Sequence, residues 1–242
     1  PLGNRKDIRD AVESASNESK WRSMSAHARA QVLYYAAENL DIRKDEFAQT
    51  IQLMTGENGK DEVDQALENI FYFASWADKF EGTIHNVPIR GVSLAMKEPL
   101  GVIAIVCPDN NPLLSFIHLV FSALCMGNTV VVVPSEKHPL CAIDMYQIFE
   151  TSDFPPGAIN IVTGNRDELS ETLSKHMQVD GIWYFGSKEG SKKIEENSNS
   201  NLKQTWVNNG LSYSWVDLPK EIKMKSLQKS IQIKNIWIPY GE

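Results

Sequence analysis

The nucleophile candidates of this chain are three cysteines, Cys107, Cys125 and Cys141, and its neutral-pH acid–base candidates are five histidines, His27, His85, His118, His138 and His176. The cysteines have no close pairing, Cys107 beside the turn has no histidine near it in sequence, and each falls where a core thiol would. The histidines are widely separated, so none forms a ligand pair at metal spacing. His118, at helical spacing among apolar residues, reads as a satisfied core histidine. Asn110, in Pro108-Asp109-Asn110-Asn111-Pro112, carries an amide that could stabilise a tetrahedral oxyanion or could only organise a turn between two prolines. Ser135 and Glu136 end an apolar run, and Gly186 and Ser187 open a polar helical one, GSKEGSKK. No nucleophile elbow or phosphate-binding loop is present.

The elements that must position these residues follow from periodicity. From Lys6 to about Phe80 the pattern is helical in four stretches, with apolar residues three or four apart and Gly56 and Gly59 between the last two. Runs at 82–87 and 92–96, around Pro88 and Gly91, predict a hairpin. From Gly101 the apolar runs GVIAIV, TVVVV and AINIV alternate with helical stretches, the pattern of a parallel sheet covered on both faces. The prediction is an α/β fold with a Rossmann-like parallel sheet flanked by helices, an N-terminal helical layer and a small β arm. Strands are expected near 204–207 and at SYSWVDL, a basic helix at 220–229, and an edge strand in IQIKNIWIPYGE. The polar ENSNSN at 196–201 reads as a surface loop.

At 242 residues the chain can bury a sizeable core. Its net charge of −7, with no basic aromatic stripe, argues against nucleic-acid binding. The longest apolar run, 113–126, is too short and too interrupted to span a bilayer. Unpaired cysteines fit a reducing compartment, so a cytoplasmic location is expected. Pro1, Leu2 and Gly3 are read as a tag remnant or as the scar of a domain cut from a longer protein.

The block KEPLGVIAIVCPDNNPLLSFIHLVFSALCMGNTVVVVPSE, at 97–136, resembles the aldehyde dehydrogenase superfamily, whose members read EPLGVV, PWNFP and ALAAGNTVVLKPSE at the same spacing. The likeness continues through FPPGAINIVTGNRDEL and, more weakly, FGSKEG and LKQTWVNNG. It implies a cofactor-type α/β domain over 4–81 and 98–220. It also implies an oligomerisation arm over 82–97 and 230–242, and hence a homodimer through the hairpin and the C-terminal strand; the plainer reading of the same segments is a three-stranded sheet within one chain. The ending WIPYGE resembles, more narrowly, the truncated C-terminal region of the tandem-domain family 16 aldehyde dehydrogenases.

The departures fall on the residues that carry the family's chemistry. Asn110 keeps the oxyanion position, but Asp109 and Asn111 replace a Trp and a Phe beside it. Val207 stands where TLELGG has the general-base Glu, and Asn209 replaces its first glycine. All three cysteines precede that loop, whereas the family's nucleophile follows it on a catalytic domain for which residues 208–242 are too few. Of the cofactor contacts, Ser135 and Glu136 remain while Val133 replaces the ribose-binding Lys, a loss of about 1.5–3 kcal/mol for a charged donor. Pro156 and Gly157 are expected to shape an adenine slot. Gly186 and Ser187 match the pyrophosphate turn, but Gly190 comes one residue early. Lys188, Lys192 and Lys193 are phosphate partners or, on the plainer reading, the solvated face of a helix.

The resemblance therefore implies a vestigial site and a non-catalytic domain that pairs chains or presents a surface to a protein partner or an upstream domain. No cofactor is required on this reading, with weak residual NAD(P) binding as the exception. The alternatives are an NAD(P)-binding regulatory module, or part of an NAD-dependent aldehyde oxidoreductase whose catalytic region lies elsewhere.

Overall fold

The β-branched runs at 102–106 and 129–133 have no polar residue to face water beyond Thr129, so both strands require cover on two sides. The computed structural model describes residues 2–88 and 90–240. It places these runs as β3 (Val102–Val106) and β4 (Thr129–Val133), fully buried and parallel, with Ile103 opposite Val130. With β5 (Ile159–Ile161), β6 (Gly181–Tyr184) and β7 (Gln204–Val207) they form a parallel sheet of order β5-β4-β3-β6-β7. The chain steps outward from β3 to β5 and then returns to the other side of β3. The order thus reverses between β3 and β6, which opens a crevice at the carboxyl ends there.

Four helices make the crossovers: α6 (Pro112–Cys125), α7 (Leu140–Thr151), α8 (Arg166–Lys175) and α9 (Lys188–Asn197). Alternate strand residues divide the core in two. Ile103, Ile105, Val130 and Val132 pack with α6 and α7, while Val102, Ala104, Val131, Val133 and Ile182 pack with α8 and α9. Every residue of α6 is buried, as expected of a helix that is apolar nearly all round.

The N-terminal helices are α1 (Arg5–Asn17), the short α2 (Lys20–Ser23), α3 (Ala26–Ile42), α4 (Lys44–Thr55) and α5 (Lys60–Trp76). The helices α3, α4 and α5 cover α6 and α7, whereas α1 sends Ile8, Val12 and Ala15 into the opposite core. Asn4 and Asp7 close a capping box at the start of α1. Gly56 ends α4 at φ 78°, where a side chain would strain the backbone.

The second sheet has the order β1-β2-β8 and is antiparallel, with β1 (Thr83–His85), β2 (Gly91–Pro99) and β8 (Ile231–Pro239). β8 pairs with β2 of its own chain over nine residues, from Gly91 opposite Pro239 to Pro99 opposite Ile231. It is reached through α10 (Lys220–Lys229). Buried Asn128 ties the base of this arm to the main sheet: its amide donates to Ser230 O (2.8 Å) and Ala123 O (2.9 Å), and its Oδ1 accepts from Gly101 N (3.0 Å).

Three sequence expectations need correction. SYSWVDL is not a strand; its alternation comes from Tyr213 and Trp215 turning inward from an irregular segment, where both pack against Phe185. Residues 196–201 are not a plain loop, because α9 runs to Asn197 and a 3-10 turn follows at Ser198–Ser200 with Ser198 buried. His118 is buried as expected, but it is not satisfied: neither ring nitrogen has a hydrogen-bond partner among the described residues.

Candidate functional site

The crevice at the carboxyl ends gathers most of the singled-out residues. Asp109 and Asn110 follow β3, Ser135 and Glu136 follow β4, Arg166 opens α8 after β5, and Gly186 and Ser187 follow β6. Asp109 is the hub. Its Oδ1 accepts from Ser135 Oγ (2.9 Å), Glu136 N (3.1 Å), Lys137 N (3.4 Å) and Arg166 Nη2 (2.5 Å). Burial alone would raise this carboxyl, but the Arg166 hydrogen bond and charge, with Ser135 and the Lys137 amide, hold it below its ordinary pKa.

Around the hub the other polar groups bond within the chain. Ser135 Oγ also accepts from His138 N at 3.0 Å. The Glu136 carboxylate faces the start of α8, accepting from Arg166 N at 3.2 Å and Asn165 Nδ2 at 3.5 Å, a favourable place for a negative charge. Gly186 N donates to Asn208 Oδ1 (3.1 Å), and Ser187 caps α9 by accepting from Gly190 N (2.9 Å). Asn110 is exposed, and its amide donates to Tyr213 O at 3.0 Å, which holds the segment carrying Trp215 over the crevice.

Pro156 and Gly157 are not part of this gathering. They precede β5, and Val130 N, at the amino end of β4, donates to the carbonyl of the next residue, Ala158. A Cβ on Gly157 would lie 2.9 Å from Ser14 O of α1. Gly157 lets α1 approach the amino ends of the strands, opposite Ser135 and Glu136, and with Pro156 it lines a separate cavity of about 430 Å³. Val133 is buried in the core, and Val207, half-buried at the end of β7, packs against the same cluster. Neither side chain can donate or accept a proton.

The thiols are sealed. All three are buried; burial pushes Cys107 up to about 12 against an opposing pull from Arg166, and pushes Cys125 and Cys141 up as well. Among the described residues no group of three His, Cys, Asp or Glu side chains could hold a metal ion. No described helix is long and apolar enough to cross a membrane.

Residues 1–215 match the aldehyde dehydrogenase family model. The chain belongs to the aldehyde dehydrogenase family. It is 33% identical over 220 residues to human retinaldehyde dehydrogenase 3, which covers 86% of this chain and 42% of that protein. With human aldehyde dehydrogenase 1A1 the identity is 34% over 222 residues, covering 86% and 43%. The chain thus spans less than half the length of these curated relatives. Among solved structures it is similar to PnpE from Pseudomonas sp. WBC-3 (TM-score 0.82, 29% identity, 85% of this chain and 43% of that one). It is also similar to an aldehyde dehydrogenase from Bacillus cereus solved as an NAD+ complex (TM-score 0.81, 27% identity, 85% and 43%).

Against the family pattern, the aspartate in place of Trp is the departure that reorganises the site, since Asp109 engages the retained Ser135. The early glycine also has an explanation. A Cβ on Gly190 would lie within bonding distance of Tyr184 Oη, and one on Gly186 would lie 2.5 Å from it, so both glycines make room for the Tyr184 ring. Asn209 adopts φ 53°, a left-handed conformation that asparagine tolerates, so the loop keeps its turn without the family's glycine. Lys188, Lys192 and Lys193 are exposed along α9, as the plainer reading expected.

The cleft that remains has a volume of about 190 Å³, lined by Asp109, Asn110, Arg166, Gly186, Tyr213 and Trp215 among others. That is below the range of ~300–1,000 Å³ of ordinary ligand pockets. As arranged, these residues do not fit a dinucleotide: Ser135 and the Gly186 amide bond to side chains of this chain, and the segment at 211–215 walls the cleft.

Sequence reasoning missed Arg166, Tyr184, Asn208 and Trp215. Arg166 lies in the quoted run GNRDEL, where Asn165 followed by Glu168 signals a helix start just beyond a strand. Tyr184 ends GIWY, an apolar run of strand length. Nothing local marks Asn208 or Trp215 as parts of the crevice.

Proposed function

We propose that this chain is a non-catalytic aldehyde dehydrogenase-like domain whose work is to pair with a second copy or to dock a protein partner through its β arm. The observation that carries this reading is β8. It pairs with β2 along one edge only, and among the described residues no strand lies on its other edge. Alternate residues along the nine-residue strand thus turn their backbone donors and acceptors outward, free for another chain. Among its exposed residues the strand carries large apolar side chains beside Gln232, Lys234 and Asn235: Ile233, Trp237 and Ile238 are each about half accessible, and Tyr240 follows them. A long exposed edge with that composition is a liability in a monomer and an asset in an assembly.

The lack of turnover is supported by the buried, upshifted thiols, by Val207 at the general-base position and by Asn110 holding a loop. The resemblance of WIPYGE to the truncated region of the family 16 enzymes fits the same role. A direct test is NADH or NADPH formation by the purified chain with short aliphatic and aromatic aldehydes. The expected rate is zero above background, and turnover abolished by Cys107→Ser would overturn the reading.

A second reading, an NAD(P)-binding regulatory module, is favoured by one observation. Ser135, Glu136, Gly186 and Ser187 do stand together at the carboxyl ends, and the Bacillus cereus relative was solved with NAD+. On this reading the Asp109 contacts must give way before a nucleotide binds.

A further inference from the structure

The groove between α1 and α8 concentrates positive charge on a chain whose net charge is −7. Ile8 and Val12 of α1 pack with Leu169 and Leu173 of α8 in one core, so the residues flanking these anchors meet at the surface above the seam. There a cleft of about 230 Å³ is lined by Arg5, Arg9, Glu171, Thr172, Lys175 and His176. Arg5 and Arg9, about one helical turn apart, share a face of α1. Arg5 lies 3.8 Å from Glu168, and Lys175 bonds to Glu171. Arg9 is exposed and pairs with no carboxylate among the described residues. Lys203 adds a charge from beneath: it is buried, and its ammonium donates to Ser174 O (2.6 Å) and His176 O (2.8 Å) at the end of α8. Gln178 N donates to His176 Nδ1 at 3.2 Å, so the neutral ring carries its proton on Nε2, as a donor. Burial, with Lys203 and Arg9, holds that ring below its ordinary pKa and so keeps it neutral near pH 7.

We infer that this cleft between α1 and α8 is a binding site for a small phosphoryl anion, a phosphomonoester or phosphate itself. Arg5, Arg9 and Lys175 against Glu171 leave two positive charges on the lining, and Lys203 beneath offsets Glu168 beside it. A phosphoryl group brings about −1.5 to −2 charge near neutral pH and three strong acceptor oxygens, which matches that balance where a single carboxylate would not. Two guanidinium forks, an ammonium and an imidazole N–H supply the donors. The volume is below the ~300–1,000 Å³ of ordinary ligand pockets, so the ligand is held by its anionic group rather than enclosed. This cleft is distinct from the crevice. It lies toward the C-terminal end of α8, from which the chain enters the amino end of β6, whereas Arg166 brings the start of that helix to the carboxyl ends. The inference stands apart from the pairing role of the arm.

The test follows the His176 ring by proton NMR in the whole chain at about pH 7.5, where the ordinary imidazole is mostly neutral. Inorganic phosphate and glycerol 3-phosphate are the probes, and sodium chloride at matched ionic strength is the control. The signal missing from His176→Gln assigns the ring. A saturable shift of that signal with phosphate, absent with chloride, is expected, together with a rise in the His176 pKa, because a bound dianion favours the imidazolium. Arg9→Ala should weaken the affinity about ten- to a hundredfold through loss of one charge-assisted contact, and Arg5→Ala/Arg9→Ala should abolish it. Both arginines are exposed, so these variants keep the fold, which unchanged melting temperatures check. Lys188→Ala removes an exposed charge on α9 and should leave the affinity as it is. Tighter binding of glycerol 3-phosphate would assign a phosphomonoester, and equal or weaker binding would assign free phosphate; both support the site. A signal that phosphate moves no further than chloride does, binding that survives Arg5→Ala/Arg9→Ala, or equal losses in Lys188→Ala and Arg9→Ala would overturn the proposal.

Discussion

Replacing His118 by Phe should leave the protein at least as stable near pH 7.5 and much more stable than the parent in mild acid. The imidazole lies on α6, fully buried, with its ring 5.2 Å from that of Phe73 and 5.5 Å from that of Trp215. Neither nitrogen is hydrogen-bonded among the described residues, and Lys223 on α10 adds positive charge nearby. Burial, with that charge, pushes the folded-state pKa from 6.5 down to about 3. The unfolded chain therefore binds the proton first. Stability is complete above the unfolded pKa and falls as the pH drops below it, until the folded state can also be protonated. The loss attributable to this one group reaches about 2 kcal/mol at pH 5 and 4–5 kcal/mol near pH 3. Urea unfolding of parent and His118→Phe at pH 7.5, 6.5, 5.5 and 5.0 measures it as the growing difference between two curves. Identical pH dependences would refute the reasoning. So would a loss of about 2 kcal/mol or more in the variant at pH 7.5, because the imidazole would then be making hydrogen bonds the structure does not contain.

Asn128→Ala should unhook the arm, since it strips partners from Gly101 N, Ala123 O and Ser230 O at once. The expected cost is at least about 2 kcal/mol, with faster hydrogen exchange in β8 than in β3; unchanged β8 protection would contradict this. Glu136→Ala separates the two readings of the crevice. It should weaken a saturable NAD affinity if the regulatory reading holds, and otherwise cost only about 0.3–1 kcal/mol of stability from a lost negative charge at the start of α8.

The parallel sheet was legible because β3 and β4 are continuous β-branched runs, and α6 because it is apolar between a proline and a glycine. The arm was legible as alternation in IQIKNIWIP. Other features depend on distance in sequence. β6 is only four residues long, and Tyr184 and the two glycines that accommodate it are recognisable only once the strand meets α9. Asp109 could be seen as a departure, and a charge beside an oxyanion position looked merely harmful. Its role needs Arg166, 57 residues on, and Ser135, 26 residues on, both brought in by crossovers. Pro156 and Gly157 stand apart from the crevice for a related reason: a motif fixes the turn it makes, but which end of the sheet that turn serves follows from strand direction. SYSWVDL had a strand's alternation and no neighbour to pair with.

The claim that this chain works through its arm is tested most directly by its mass in solution. Light scattering on the purified chain at micromolar concentration should give about twice the 27.2 kDa of one chain. Ile233→Lys with Trp237→Lys, which places two charges on one exposed face of β8, should return it to the mass of a single chain without unfolding it. A parent protein of single-chain mass would remove self-pairing and leave only the docking of a different partner, and a double variant that stays paired would contradict the arm as the interface.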